Sequence, residues 1–174
     1  MIRRPHEDRH LSRAELELAA ADLLRRREEW QHLVRHAPDG TRTYVPLERD
    51  EHVEGWLICW SDGNDTGFHD HDVSHGAVGV AAGHVREETL HFGVPPSVRE
   101  VAAGGVFSFD STDIHRILHA GDEPAVTLHL YSPPLRRMGA YEVLPDGRLA
   151  RRSIDASAEL GASAPARAEV TAGA

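Results

Sequence analysis

The chain contains no lysine: its 19 basic residues are all arginine, and against 28 Asp and Glu they leave a formal net charge of -9 over 174 residues. Nucleic acid and anionic membrane surfaces attract positive patches, so this balance argues against both and points to a small partner. Cysteine is almost absent as well. Cys59 alone closes no internal disulfide, and its place in Trp56-Leu57-Ile58-Cys59-Trp60 reads as a buried, inert thiol. No apolar run approaches the roughly 20 residues that span a bilayer. The segment Met1-Ile2-Arg3-Arg4-Pro5-His6 shows no apolar secretory stretch, so the expected location is cytoplasmic. What is present is an ordinary globular composition, 40% hydrophobic and 27% charged, at a length that suits one domain.

After a short extension, residues 1–10, Ser12-Arg13-Ala14-Glu15 has the form of a capping box, and Leu16, Leu23, Trp30 and Leu33 recur at helical spacing. One long helix or two short ones are expected over 12–36, ended by Pro38-Asp39-Gly40. From there to about residue 150, short apolar or alternating runs are punctuated by Gly, Pro and Asp, the pattern of an all-β sandwich or barrel. Strands are expected at Gly55 to Trp60, Ala77 to Ala82, Val85 to Phe92, Val106 to Phe109, Ile114 to His119 and Val126 to Tyr131, with a tight hairpin at Leu144-Pro145-Asp146-Gly147-Arg148-Leu149. The stretch 155–174 is rich in Ala, Ser and Gly with few large apolar residues, and is expected to be a flexible tail.

The chemistry concentrates in Gly67-Phe68-His69-Asp70-His71-Asp72-Val73-Ser74-His75-Gly76. On a strand, residues two apart point to one side, so His69 and His71 can offer two imidazoles to one metal ion. Two later strands carry polar stripes. Alternation puts His115, Ile117 and His119 on one face, and Thr127, His129 and Tyr131 opposite Val126, Leu128 and Leu130. Such a stripe either lines a cavity or faces water.

Gly63, His69, His71 and Gly83 match the first cupin motif, and Gly104 and His115 fit the second. More narrowly, His69-Asp70-His71-Asp72-Val73-Ser74-His75-Gly76, His115-Arg116 and Thr127-Leu128-His129-Leu130-Tyr131-Ser132-Pro133-Pro134 resemble the cysteine dioxygenase family of cupin thiol dioxygenases, over about 11–154. The resemblance implies a single all-β, jelly-roll-like cupin domain holding a mononuclear non-haem Fe(II) on His69, His71 and His115. Gly76 stands where a general cupin has its glutamate, so no carboxylate would share the metal and three neutral imidazoles would leave its dipositive charge to an anionic chelating substrate. The implied reaction binds a small thiol as thiolate and transfers both oxygen atoms of O2 to sulfur, giving a sulfinate. Tyr131 would stand near the substrate, His129 would hold Tyr131, and Thr127 would replace the family's usual serine.

Two departures stand out. Gly76 also occupies the position of the cysteine that some relatives crosslink to the active-site tyrosine, so Tyr131 should be unmodified. The cysteine-specific enzymes bind the substrate carboxylate with an arginine two residues after a tyrosine; if Tyr44 is that tyrosine, the arginine position is Pro46, which cannot pair with a carboxylate. Arg42, Arg49, Arg136 or Arg137 could take the role, and each also reads as a solvated surface charge. His75 has the parity of His69 and His71 on an unbroken strand and could be an alternative ligand, but the family places none there and it reads as a structural residue or one supporting the site; His119 reads as a packed or pocket-lining histidine. Three functions follow: an iron thiol dioxygenase acting on cysteine or a related thiol, a cupin metalloenzyme (dioxygenase or isomerase) acting on a non-thiol chelator, or a non-catalytic small-molecule-binding cupin. A monomer is expected.

Overall fold

The computed structural model describes residues 9–145 and 148–155. Helix α1 (Arg13–Arg25) starts at the expected capping box: the Glu15 amide donates to Ser12 Oγ at 3.4 Å and the Ser12 amide to Glu15 Oε2 at 2.8 Å. Leu16, Ala19, Ala20 and Leu23 form its buried stripe. Beyond Arg25 the expected helix shortens to two single 3-10 turns, Arg27–Glu29 and Gln31–Leu33, tied back by the Trp30 indole, which donates to Leu23 O at 2.9 Å.

Among the described residues eleven strands follow: β1 (Thr43–Arg49), β2 (Glu54–Trp60), β3 (His69–Asp70), β4 (His75–Ala82), β5 (His84–His91), β6 (Val94–Ala102), β7 (Val106–Phe109), β8 (His115–Ala120), β9 (Ala125–Ser132), β10 (Arg137–Val143) and β11 (Leu149–Asp155). They pair antiparallel into two sheets, ordered β1-β2-β9-β4-β7 and β11-β10-β3-β8-β5-β6. This is the all-β cupin architecture expected. The six strands read from the sequence are present with ends shifted by a residue or two; β1, β3, β6, β10 and β11 extend the list. The centre of the expected hairpin, Asp146-Gly147, and the segment 156–174 lie outside the described residues, while β10 and β11 flank that hairpin in register from Val143↔Leu149 to Arg137↔Asp155.

Alternation along β2 and β9 divides the interior in two. Leu57, Cys59, Val126, Leu128 and Leu130 pack with Leu16, Ala20 and Leu23 beneath α1. Ile58, Trp60, Val78, Val80, Phe107, Phe109, Ile117, Tyr131 and Met138 fill the space between the sheets. Cys59 is a buried free thiol, as read. At roughly 25 cal/mol per Å2 of apolar surface removed from water, two such clusters are the main favourable term in holding the sheets and helix together.

Candidate active site

The inward faces of the two sheets meet at a cavity of about 30 Å3, room for a couple of waters. The six-stranded sheet brings His69 from β3 into register opposite His115 on β8. His71 lies just past β3, and the chain then turns: Asp72 has φ 56° and the Ser74 amide donates to His71 O at 2.9 Å. That turn breaks the parity that would have aligned His75 with the other two. His75 lies 3.6 Å from Asp110 and is not among the cavity's lining residues, and His119 points to Glu123 O at 2.9 Å, also away from it.

One ring nitrogen each from His69, His71 and His115 lies within 4.8 Å of the other two. Two of the rings are oriented from behind. His69 Nδ1 lies 2.9 Å from Gly67 O and His115 Nδ1 lies 2.7 Å from Glu87 Oε1, so each Nδ1 carries the hydrogen and Nε2 is left for the cavity. His115 Nε2 is buried and makes no hydrogen bond among the described residues. Burial holds the His115 imidazole down at about 4 despite the Glu87 carboxylate beside it; burial and the neighbouring imidazoles depress His71 well below the ordinary value. Neutral rings with an orphaned buried nitrogen are what a cation held by imidazoles requires, so the three residues fit a metal ion.

Asp70 faces the other way. It accepts from Arg151 Nε at 2.7 Å and Nη2 at 2.8 Å, from Tyr141 Oη at 2.6 Å and from the Gly139 amide at 3.2 Å, pinning the two-residue β3 to β10 and β11. Gly139 is needed there, because a Cβ would come within 2.5 Å of Asp70 Oδ2 and 2.3 Å of Arg151 Nε. Gly76 has a similar reason: an added Cβ would stand 2.0 Å from the Phe109 ring, which stacks on His71 with centroids 4.4 Å apart. The ring of Phe109 thus occupies the space that a glutamate or cysteine at position 76 would need.

The five-stranded sheet supplies the opposite wall. The polar stripe of β9 faces inward, which removes the solvent-facing alternative: every residue of β9 is buried. The Trp60 indole donates to Thr127 Oγ1 at 2.7 Å, Thr127 Oγ1 lies 2.9 Å from His129 Nε2, and His129 Nδ1 lies 3.1 Å from Tyr131 Oη. An indole N–H can only donate, so Thr127 Oγ1 accepts from Trp60 and keeps both its own hydrogen and a second lone pair to meet His129 Nε2. Burial, then the nearby Arg42, holds His129 down at about 3, so the ring is neutral and has one N–H and one acceptor nitrogen to share between Thr127 and Tyr131.

Of the four candidate arginines, one reaches the cavity. Arg42 is 9% exposed, donates from Nε to Tyr44 Oη, lies 5.1 Å from both the Tyr44 and Trp60 ring centroids, and has a buried Nη1 without a hydrogen-bond partner among the described residues. Tyr44 lines the cavity with it. Arg49 instead lies 3.3 Å from the buried Glu54, which also accepts from the Trp56 indole and the Leu135 amide. Arg136 is exposed on the segment before β10, Arg137 pairs with Asp72 at 3.8 Å, and neither they nor Pro46 line the cavity. The residue that sequence reasoning missed is Glu87. As a carboxylate it reads as solvated; its parity with Val85 on β5 is the signal that points it inward.

The model of the family described as "Cysteine dioxygenase type I" matches residues 25–143. The chain belongs to that family. It is 30% identical over 96 residues to cysteine dioxygenase type 1 of Danio rerio and 30% identical over 95 residues to that of Homo sapiens, each match covering 49% of this chain. The chain spans about half the length of these curated cysteine dioxygenase relatives, 48% in both cases. Among solved structures, a cupin superfamily protein of Desulfitobacterium hafniense superposes with a TM-score of 0.51 at 14% identity, over 61% of this chain and 89% of that one. That likeness bears on the cupin fold alone. No described helix is long and apolar enough to cross a membrane.

Proposed function

We propose that this cysteine dioxygenase family member is an iron-dependent thiol dioxygenase that converts cysteine, or a small thiol carrying a carboxylate like it, to the sulfinate with O2. His69, His71 and His115 would hold a mononuclear Fe(II). The observation that carries the reading is the meeting, in one small cavity, of three imidazoles and a buried guanidinium whose Nη1 has no hydrogen-bond partner among the described residues. When bound, the iron would supply the sites for thiolate and O2 and the redox chemistry between them.

The chain's own residues do the rest. Arg42 would receive the substrate carboxylate on Nη1, held in place by its bond to Tyr44 and by the flanking Trp60 ring. The role assigned to the arginine two residues after the tyrosine would thus pass to the one two residues before it. Thr127 and His129 orient Tyr131, whose hydroxyl can then hold a proton at the reacting atoms. Ile58, Phe109, Ile117, Leu135 and Met138 keep the cavity apolar and limit water.

The test is oxygen uptake by Fe(II)-loaded protein against cysteine, cysteamine, homocysteine, 3-mercaptopropionate and mercaptosuccinate. Uptake is expected with cysteine or another carboxylate-bearing thiol and not with cysteamine. Arg42→Met should raise KM for the preferred thiol about 30-fold, the scale of a lost charge-assisted bond. Uptake with none of the thiols would sink the thiol reading in favour of a non-thiol chelator or a binding-only cupin.

A further inference from the structure

A polar thread crosses four neighbouring strands of the six-stranded sheet. Arg99 on β6 pairs in register with Glu87 on β5, and Glu87 reaches His115 on β8, which pairs in turn with His69 on β3. Glu87 is 2% exposed and divides its two oxygens: Oε1 accepts from His115 Nδ1 at 2.7 Å, and Oε2 receives Arg99 Nε. Arg99 sits at the solvent end, about half exposed, with Nη2 donating to Ser108 O at 3.1 Å and the guanidinium 4.6 Å over the Phe107 ring.

Burying a carboxylate is costly unless it is paired, and an apolar side chain would fill this space without that cost. Among the described residues lining the cavity there is no Asp or Glu, and Phe109 closes position 76 to one. A carboxylate on the far side of a ligating imidazole fixes its tautomer and strengthens its other nitrogen as a donor. We propose that Glu87 delivers from behind His115 the negative charge that no group delivers inside the cavity, and that Arg99 moderates how much of that charge reaches His115 Nε2. Both are positioning residues, acting through His115, and the inference rests on the three histidines holding a metal.

The test compares Glu87→Gln, Glu87→Leu and Arg99→Gln with wild type. Anaerobic titration with Fe(II) against a competing chelator gives affinity, and the reduction potential of the iron-loaded proteins reports donor strength. Glu87→Leu should weaken Fe(II) binding 10- to 100-fold, the usual consequence of removing such a partner. Glu87→Gln keeps an acceptor for Nδ1–H and removes the charge, so affinity should fall less and the potential should rise. Arg99→Gln, which frees the Glu87 charge, should lower the potential. An ion pair that only ties the sheet edge together, without influence on His115 Nε2, would move neither potential. Should Glu87→Leu not fold, the two Gln variants still decide the matter. Potentials that move together or not at all, with circular dichroism unchanged, would overturn the proposal and leave the metal site standing. A wild-type protein that binds no Fe(II) would overturn both.

Discussion

Leu128 and His129 are adjacent on β9 and almost equally buried, at 0% and 2% exposure, yet they are held there by different physics. The face carrying Val126, Leu128 and Leu130 packs under α1 through apolar area, which is non-directional and tolerates repacking. The face carrying Thr127, His129 and Tyr131 stays buried because its polar atoms are linked in one hydrogen-bonded chain that starts from the Trp60 indole. One face of the strand therefore stabilises the domain, and the other spends part of that stability on orienting a phenol.

If that division holds, the two faces should fail separately. Leu128→Ala should lose the most, about 3 kcal/mol of unfolding free energy in a denaturant titration, while oxygen uptake per folded molecule stays at the wild-type value; a matching loss of turnover would show that the faces are not independent. Tyr131→Phe should do the reverse, lowering kcat about 100-fold, as loss of a positioned proton donor does, with a melting temperature close to wild type. Thr127→Val sits between them. It leaves the Trp60 and His129 nitrogens without Thr127 Oγ1, so about 2 kcal/mol of stability should go, with a fall in kcat smaller than that of Tyr131→Phe. Smallest is Ser12→Ala at the start of α1, about 1 kcal/mol by thermal melting and no change in KM.

The same contrast explains what could be read in advance. Strands β2, β4, β5, β7, β8 and β9 were legible because burial on at least one face leaves an apolar or alternating trace, and α1 because Ser12 and Glu15 announce its first turn. Strand β6 left no such trace: it is an edge strand, exposed along nearly its whole length and carrying Pro95 and Pro96. Strand β3 is two residues long and owes its place to Asp70 and its partners on β10 and β11, contacts between segments some 70 and 81 residues apart. In the candidate site, the His69-His71 pair and the Thr127-His129-Tyr131 stripe were visible in spacing, and His115 joined the pair through the family resemblance. Arg42 was one of several equal arginines until its burial against Tyr44 and Trp60 separated it from the rest. Glu87 was hidden because nothing local says that a carboxylate in a strand will meet a histidine 28 residues later.

The contact between Gly76 and Phe109 has a bearing on how such a site can change over generations. With only 2.0 Å between a Cβ at position 76 and the Phe109 ring, neither a glutamate nor a cysteine can be introduced there by a single substitution without displacing the ring that stacks on His71. A carboxylate-bearing cupin site, or one with a cysteine beside Tyr131, is two coupled steps away from this chain, and the order matters: Phe109 must shrink before Gly76 can grow. The three-histidine cluster is thereby protected from drift by a neighbour that offers it no ligand atom.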